Sequence, residues 1–273
     1  MKLYISDLDG TLLNSNQELS RRTANQLNNL INRGLNFSFA TARSLDSSKY
    51  IMEKLRLKLP VIVHNGVFIY DPIKNENISS SFMDFEKALE ILKIYKASNI
   101  NPFVYTINSK GVRKAYYKSI NHYGEKIYIN DRLARGDKRF TQVSDFHINS
   151  PEYIIAITAI GEEKDLKPLS FKIKENFKMN IHLAEDIYSG ATWLEVNHEK
   201  ANKKEAVKKL KEVLKAEKII CFGDHLNDIP MFEVADEKYA VENAQTALKK
   251  IATEVIESND KDGVISFLEK QYP

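Results

Sequence analysis

Cysteine is nearly missing from this chain: Cys221 is the single thiol in 273 residues. One cysteine excludes an internal disulfide framework and agrees with a reducing compartment. Long apolar runs are missing as well. Apolar runs such as Val61-Ile62-Val63 and Tyr153-Ile154-Ile155-Ala156-Ile157 have the length of strands and are far too short to span a bilayer. Residues 1–7 contain no apolar h-region, so no secretory signal is expected and the cytoplasm is the expected location, without membrane association. The six histidines (His64, His122, His147, His182, His198 and His225) show no H-x-x-x-H ligand spacing. No G-x-G-x-x-G or G-x-x-x-x-G-K-[ST] follows a strand-like run, which argues against a nucleotide-binding module. Internal repeats and low-complexity linkers are absent too. A dominant charge sign is also lacking, with 40 Lys and Arg against 37 Asp and Glu, a net of +3. Lysines alternate with glutamates, as in Glu199-Lys200-Ala201-Asn202-Lys203-Lys204-Glu205, and that mixture reads as solvated helix faces, not as a nucleic-acid footprint. Small anionic ligands stay compatible with it.

What is present is the composition of a soluble globular protein, 43% apolar and 28% charged, at a length that suits two domains. Leu3-Tyr4-Ile5 reads as a short buried strand that stops at Asp7. Leu19, Ala24, Leu27, Leu30 and Ile31 then recur near helical spacing, and Gly34 stands where a C-terminal cap belongs. A strand over 35–40 ends at Thr41-Ala42-Arg43. A helix over about 46–55 leads to a strand over 60–64 and the turn Asn65-Gly66. This alternation predicts a doubly wound, parallel-sheet (Rossmann-like) α/β core with its chemistry at the carboxyl ends of the strands. From about residue 82 to 186 the rhythm changes to longer strands and two helices, over about 85–97 and 166–177. Arg132, Arg135, Lys138 and Arg139 cluster in a loop-like stretch there. Beyond it, Trp193-Leu194-Glu195-Val196 reads as a strand, 203–214 as a helix, Ile219-Ile220-Cys221-Phe222 as another buried strand, 238–241 and 254–256 as further strands, and 262–271 as a closing helix. The expected architecture is a discontinuous core, 1–82 and 187–273, interrupted by an inserted α+β module over 83–186.

Two acidic turns carry the strongest chemical signal. Asp7-Leu8-Asp9-Gly10-Thr11 sends two carboxylates from one strand end, and Gly10 permits the tight turn that keeps them there. Close carboxylates repel unless a cation neutralises them or one stays protonated, and Mg²⁺ accepts one or two carboxylates while keeping positions for water and phosphate oxygen. The plainer reading is an acidic turn that caps a helix. Gly223-Asp224-His225-Leu226-Asn227-Asp228 follows a second apolar strand and suits a cation as well, although Asn227 or Asp228 also fits a helix start toward Phe232. Thr41 ends a third strand with a hydroxyl for an anion, yet threonine is ordinary there. Lys203 opens a helix, where a lysine is more often solvated than chemical. Cys221 on its apolar strand reads as an inert core residue. The tyrosines Tyr116, Tyr117, Tyr123 and Tyr128 of the inserted module read mostly as packing, with one or two able to line a pocket.

Together these residues resemble the haloacid dehalogenase superfamily of phosphohydrolases, in the Cof-type branch that carries a large α/β cap between its second and third motifs. Asp7 and Asp9 match the D-x-D-G-T nucleophile motif, Thr41 the hydroxyl motif, Lys203 the lysine motif, and Asp224, Asn227 and Asp228 the G-D-x-x-N-D motif. Asn65-Gly66 is similar to the family's N-G turn. Ala42 stands where the family usually has glycine close to the phosphate, and Lys204 where it often has glycine, so Lys204 is the alternative in an off-by-one register. The resemblance implies a Mg²⁺-dependent hydrolase of a small phosphorylated metabolite, commonly a sugar phosphate. It implies Asp7 as nucleophile that forms an aspartyl-phosphate, and Asp9 as general acid and base. Mg²⁺ would be held by Asp7, the Asp9 backbone carbonyl and Asp224, and Asp228 would support the metal or orient Lys203. Thr41, Asn227 and Lys203 would bind phosphoryl oxygens beside Ala42 and Asn65. The cap would read the leaving group. A phosphomutase and a catalytically silent phosphate-ligand-binding protein are the rival readings.

Overall fold

The computed structural model describes residues 1–134, 136–146, 152–185 and 189–272. It divides into two compact units, Met1–Ser80 with Ala201–Pro273 and Ser81–Lys200. The first unit opens with β1 (Lys2–Ser6), α1 (Arg21–Asn32), β2 (Phe37–Phe39), α2 (Leu45–Lys54) and β3 (Val61–Val63), and a hairpin of β4 (Phe68–Asp71) and β5 (Glu76–Ser80) follows. Both early helices start on a serine that accepts a hydrogen bond from the third residue onward, Ser20 from Thr23 and Ser44 from Ser47. The hairpin escaped the sequence reading because its last strand is polar and largely exposed.

The inserted unit consists of α3 (Phe85–Ala97), β6 (Phe103–Ile107), β7 (Arg113–Tyr117), α4 (Tyr123–Ala134), β8 (Phe140–Gln142), β9 (Tyr153–Gly161), α5 (Glu163–Asn176), β10 (Met179–Glu185) and β11 (Thr192–His198). Its six strands are ordered β10-β11-β9-β6-β7-β8, antiparallel except for the β7–β8 pair. One face packs on α3 and α5 through Ile91, Tyr95, Leu169 and Ile173, and the other packs Phe103 and Ile160 against Ile129 of α4.

Two expectations are corrected here. The segment Trp193-Leu194-Glu195-Val196 is a strand, but it lies between β10 and β9 of the inserted sheet, which moves the return to the first unit from residue 187 to Ala201. Its apolar alternation fits either sheet, and only the pairing partner decides. The stretch read as a basic loop holds the end of a third helix: Arg132 lies in the last turn of α4, and Arg139 pairs with Asp137 at 2.6 Å, while Arg135 and His147 fall outside the described residues. The α4 pattern is hard to read because Ile127 and Leu133 are exposed while Ile129 is buried.

The chain then returns to the first unit with α6 (Lys203–Leu214), β12 (Lys218–Gly223), α7 (Ile229–Phe232), β13 (Glu237–Val241), α8 (Thr246–Lys249), β14 (Glu254–Ile256) and α9 (Gly263–Gln271). Its main sheet is parallel throughout, ordered β14-β13-β12-β1-β2, and a parallel bridge from Ala40 to Ile62 carries it on to β3. Leu3, Ile5, Ile219 and Cys221 on one face and Tyr4 and Ile220 on the other are all buried, as expected of a parallel sheet covered on both faces. The chain winds from β1 toward β3 in one direction and from β12 toward β14 in the other. β1 and β12 therefore flank the point where the order reverses, and their carboxyl ends leave a crevice there.

Candidate active site

The register of the two central strands sets the site. Ser6 lies opposite Phe222, and the Asp7 N–H donates to the Phe222 carbonyl at 3.0 Å, so Asp7 and Asp224 leave the sheet side by side. The Gly10 turn, at φ 74°, then brings the backbone against Asp224: a Cβ at Gly10 would sit 2.4 Å from Asp224 Oδ2. Thr11, the last residue of the same pentapeptide, donates its hydroxyl to Asp224 Oδ1 at 2.8 Å. The second acidic turn is closed by Asp228, whose Oδ2 accepts the N–H groups of Asp224 at 3.0 Å and His225 at 3.1 Å. Asp228 stands at the start of the helix toward Phe232 but its side chain makes no capping hydrogen bond there; it ties back its own loop and faces the crevice.

Lys203 joins the two turns. Its α6 is started by Asn202, whose Oδ1 accepts the Glu205 N–H at 3.0 Å. From the first residue of the helix its Nζ donates to Asp7 Oδ1 and to Asp228 Oδ1, both at 2.6 Å. Lys203 is 1% exposed, Asp228 0% and Asp7 5%. Lys204 points elsewhere and pairs with Glu233 at 2.6 Å. Of the two lysine registers, the geometry brings Lys203 to the aspartates.

Electrostatics follow from this burial. Desolvation raises the pKa of Asp7 well above the ordinary range; Lys203 works against that, and the Asp228 and Asp224 charges add to it. Asp224 is pushed up to about 6, by burial first and by Asp228 next, against the Thr11 hydrogen bond. Burial acts against the Lys203 ammonium, yet Asp228 and Asp7 together hold its pKa above normal. Three carboxylates thus share one ammonium. One oxygen from each of Asp7, Asp224 and Asp228 falls in a group spanning no more than 4.8 Å, a hard-oxygen set with surplus negative charge that fits a divalent cation such as Mg²⁺.

Asp9 stands apart. Its carboxylate, 43% exposed, is held in a fork by Arg43, from Nε at 2.7 Å and Nη2 at 2.5 Å. Arg43 also donates to Tyr50 and to Gln17, both at 3.1 Å. Arg43 and Thr11 received no role in the sequence reading. The signal for Arg43 was its place two residues after Thr41 on the same strand end, and for Thr11 its membership of the acidic pentapeptide.

Thr41 is buried at the end of β2, its N–H on the Ile62 carbonyl at 3.0 Å and its Oγ1 accepting the Arg43 N–H at 3.1 Å. Ala42 is exposed and its φ is not positive, so its methyl group is tolerated without backbone strain. Asn65 donates its N–H to the Thr41 carbonyl at 2.9 Å, and its side chain meets Asn227 Nδ2 at 3.5 Å. The turn that carries it, His64 at φ 51°, Asn65 at φ 51° and Gly66 at φ 101°, runs three residues in left-handed backbone. Gly66 lies so close to Asn202 that a Cβ would sit 2.4 Å from its carbonyl oxygen. The turn therefore links the Thr41 strand end to the start of the Lys203 helix. Cys221 lies fully buried on β12, and burial raises its thiol pKa, as suits a core residue.

Comparison with known proteins agrees in extent and in kind. The family model of haloacid dehalogenase-like hydrolases matches residues 4–268. A 5-amino-6-(5-phospho-D-ribitylamino)uracil phosphatase of Bacillus subtilis is 30% identical over 99% of this chain and 98% of its own length. Another Bacillus subtilis protein, phosphatase YwpJ, is 28% identical over 97% of each chain. Among solved structures, TM0651 of Thermotoga maritima superposes with a TM-score of 0.80 at 25% identity, covering 98% of this chain and 96% of its own. A haloacid dehalogenase-like hydrolase of Bacteroides thetaiotaomicron superposes at 0.78 with 23% identity over 99% of both chains. The chain belongs to the haloacid dehalogenase-like hydrolases and is a phosphatase.

Proposed function

We propose that this phosphatase is a Mg²⁺-dependent phosphomonoesterase that acts on a small phosphorylated sugar or polyol through an aspartyl-phosphate on Asp7. The observation that carries the reading is the buried Asp7–Lys203–Asp228 bridge beside Asp224 at the sheet's switch point. The phosphorylated ribityl substrate named for the Bacillus subtilis relative supports a polyol ester. Asp7, Asp224 and the Asp9 backbone carbonyl would hold Mg²⁺, with Asp228 in support. The ion supplies charge neutralisation between the nucleophile and the phosphate dianion.

In the first step an Asp7 carboxylate oxygen attacks phosphorus. The bond to the ester oxygen breaks, and the Asp9 carboxyl gives its proton to the departing alkoxide. In the second, Asp9 takes a proton from water as the water oxygen attacks phosphorus, and the Asp7 carboxylate is released with inorganic phosphate. Arg43 forks onto the Asp9 carboxyl group, which fixes where it stands for the second step. For the first step Asp9 has to arrive protonated and turned off Arg43. Lys203, Thr41 and Asn227 are assigned to the phosphoryl oxygens, with Ala42 and Asn65 at the rim of that site, in the manner of preorganised charge stabilisation. The inserted unit is assigned to leaving-group selection.

Rapid-mixing kinetics separate the two aspartates. Asp7→Asn is expected to be inactive with every ester. Asp9→Asn is expected to lose on the order of a hundredfold or more in the first step with a sugar phosphate. It should lose far less with p-nitrophenyl phosphate, whose leaving group needs no proton. Equal losses on both esters would remove Asp9 as the acid, and a leaving-group burst from Asp7→Asn would remove Asp7 as the nucleophile. Release of inorganic phosphate, and not an isomerised ester, distinguishes this activity from a mutase.

A further inference from the structure

A third segment, the turn over 242–245 that leaves β13, is bonded to both acidic turns of the first unit. β13 pairs in parallel with β12, Ala240 opposite Gly223, so its carboxyl end emerges beside the turn that carries Asp224. There the Gln245 N–H donates to the Asp224 carbonyl at 2.8 Å. Two residues earlier in the chain, Asn243 Nδ2 donates to the Gly10 carbonyl at 2.7 Å. Asp9 (φ −69°, ψ 125°) and Gly10 (φ 74°, ψ −3°) are the central pair of a type II turn, so this carbonyl belongs to the peptide on which the chain leaves that turn toward Thr11. The Val241 carbonyl accepts the Ala244 N–H at 2.9 Å, which closes the segment on itself.

Asn243 is itself fixed from behind. Its Oδ1 accepts the Asn259 N–H at 3.0 Å, and the buried Asn259 donates Nδ2 to the Leu13 carbonyl at 2.9 Å. Both ends of the Asn243 amide are therefore spent on backbone, which orients it and leaves its donor on Gly10. Yet Asn243 is exposed and covers no core, so its bond to Gly10 adds only modestly to folding. What the bond sets is a distance. Gly10 stands against Asp224 so closely that no Cβ fits, and Thr11, the next residue, reaches Asp224 Oδ1. With Gly10 and Asp224 both tied to one short turn, the spacing of the two acidic turns is clamped from outside.

We propose that Asn243 is a positioning residue: it holds the turn of Asp7 and Asp9 and the turn of Asp224 at the separation a small divalent cation requires, and so favours Mg²⁺ over Ca²⁺. The inference rests on the Mg²⁺ dependence proposed above. Mg²⁺ demands oxygens at about 2.0–2.1 Å in near-ideal octahedral geometry, whereas Ca²⁺ accepts about 2.3–2.6 Å in flexible arrangements. Relaxing the gap between the two turns by a few tenths of an ångström therefore penalises Mg²⁺ and spares Ca²⁺. Asn243 touches neither the ion nor the phosphate in this scheme; it acts through Gly10.

The full-length protein, stripped of metal, is titrated with Mg²⁺ and separately with Ca²⁺ by isothermal titration calorimetry, which needs no turnover. In Asn243→Ala and Asn243→Asp the Kd for Mg²⁺ should rise at least about tenfold and that for Ca²⁺ about threefold or less. Asn243→Asp keeps the oxygen that Asn259 meets and removes only the donor. Its added charge attracts both ions alike, so a selective loss of Mg²⁺ does not come from charge. Ser15→Ala, which removes the hydroxyl bond to Asp260 (2.6 Å) further along the same loop, is the control and should leave both Kd values at those of the parent. Metal-free melting temperatures should stay close to the parent's in all three variants. Asn243 variants whose two Kd values are unchanged, or rise by the same factor, overturn the inference. An equal loss of Mg²⁺ in Ser15→Ala, or a large fall in the metal-free melting temperature, does so too, by making Asn243 a structural residue. A parent that binds no Mg²⁺ removes the metal reading and the inference with it, whereas a parent that binds Mg²⁺ and variants that keep its preference remove the inference alone.

Discussion

At the scale of single residues, Lys203 and Lys204 are neighbours in sequence with opposite environments. Lys203 is buried between two carboxylates, whereas Lys204 pairs with Glu233 at the surface. Removing the first leaves Asp7 and Asp228 buried without their cation. Lys203→Ala is therefore expected to cost about 3 kcal/mol or more of stability in the absence of metal, and to lower kcat by orders of magnitude. Lys204→Ala is expected to stay close to the parent in both. Thermal melts and steady-state kinetics on the pair check this, and a reversed ranking would place the wrong lysine in the site. The Asp224 carboxyl supplies a second residue-scale test. Its folded pKa of about 6 lies above the ordinary aspartate value of 3.8, so between those values the folded chain keeps a proton that the unfolded chain has released. The metal-free protein should lose stability as pH rises from about 4 to about 6. Mg²⁺ needs the ionised carboxylates, so its gain in Tm should be larger above that window than below it. A gain in Tm from Mg²⁺ that does not vary with pH would contradict the arrangement. EDTA is expected to abolish turnover and added Mg²⁺ to restore it.

At the scale of elements, the turn after β3 has the most consequence for its length. Three successive left-handed residues are costly for His64 and Asn65, and Gly66 adds a backbone approach to Asn202 that admits no side chain. Gly66→Ala would drive a Cβ into the residue that caps the Lys203 helix. It is expected to destabilise the first unit by about 3 kcal/mol and to reduce kcat at least tenfold, because Lys203 and Thr41 both hang on this turn. Melting temperature and kcat are the measurements, and full activity in the variant would show that the turn is not what aligns them. Ala42 offers the contrast at the neighbouring strand end, where a Cβ is accommodated in ordinary backbone.

For the whole molecule, the chain carries one reporter in each unit: Cys221 in the buried core of the first and Trp193 in the second. The first unit buries Leu3, Ile5, Phe37 and Phe222 and the inserted unit has apolar clusters of its own, and such units unfold as separate cooperative blocks unless their interface is large. In a urea titration, thiol labelling of Cys221 and fluorescence of Trp193 are expected to give distinct midpoints. Coincident curves would mean that the chain unfolds as one block. The same division of labour carries the proposed function, with phosphoryl chemistry in the first unit and ligand selection in the second.

The sequence by itself determined the parallel core and the chemical identity of its crevice. Short apolar runs ending in Asp7, Thr41 and Asp224 could be read directly, because a buried parallel strand needs a continuous apolar stretch and its carboxyl end is where a polar residue escapes the core. The acidic turns pointed to a group able to hold a cation for the same local reason, the mutual repulsion of close carboxylates. Tertiary structure decided what depends on partners distant in the chain. Trp193 to Val196 alternates equally well for either sheet, and only pairing with β9 and β10 assigns it to the inserted unit. Which lysine reaches Asp7 depends on the rotation of α6, and Arg43 gains its role only because β2 sets it beside Asp9. The α4 helix lacked a clean apolar stripe because it covers only part of a sheet face. Tyr128 of α4 meets Tyr105 of β6 and Trp193 of β11 only because strand register sets those two on one face, which no local pattern encodes.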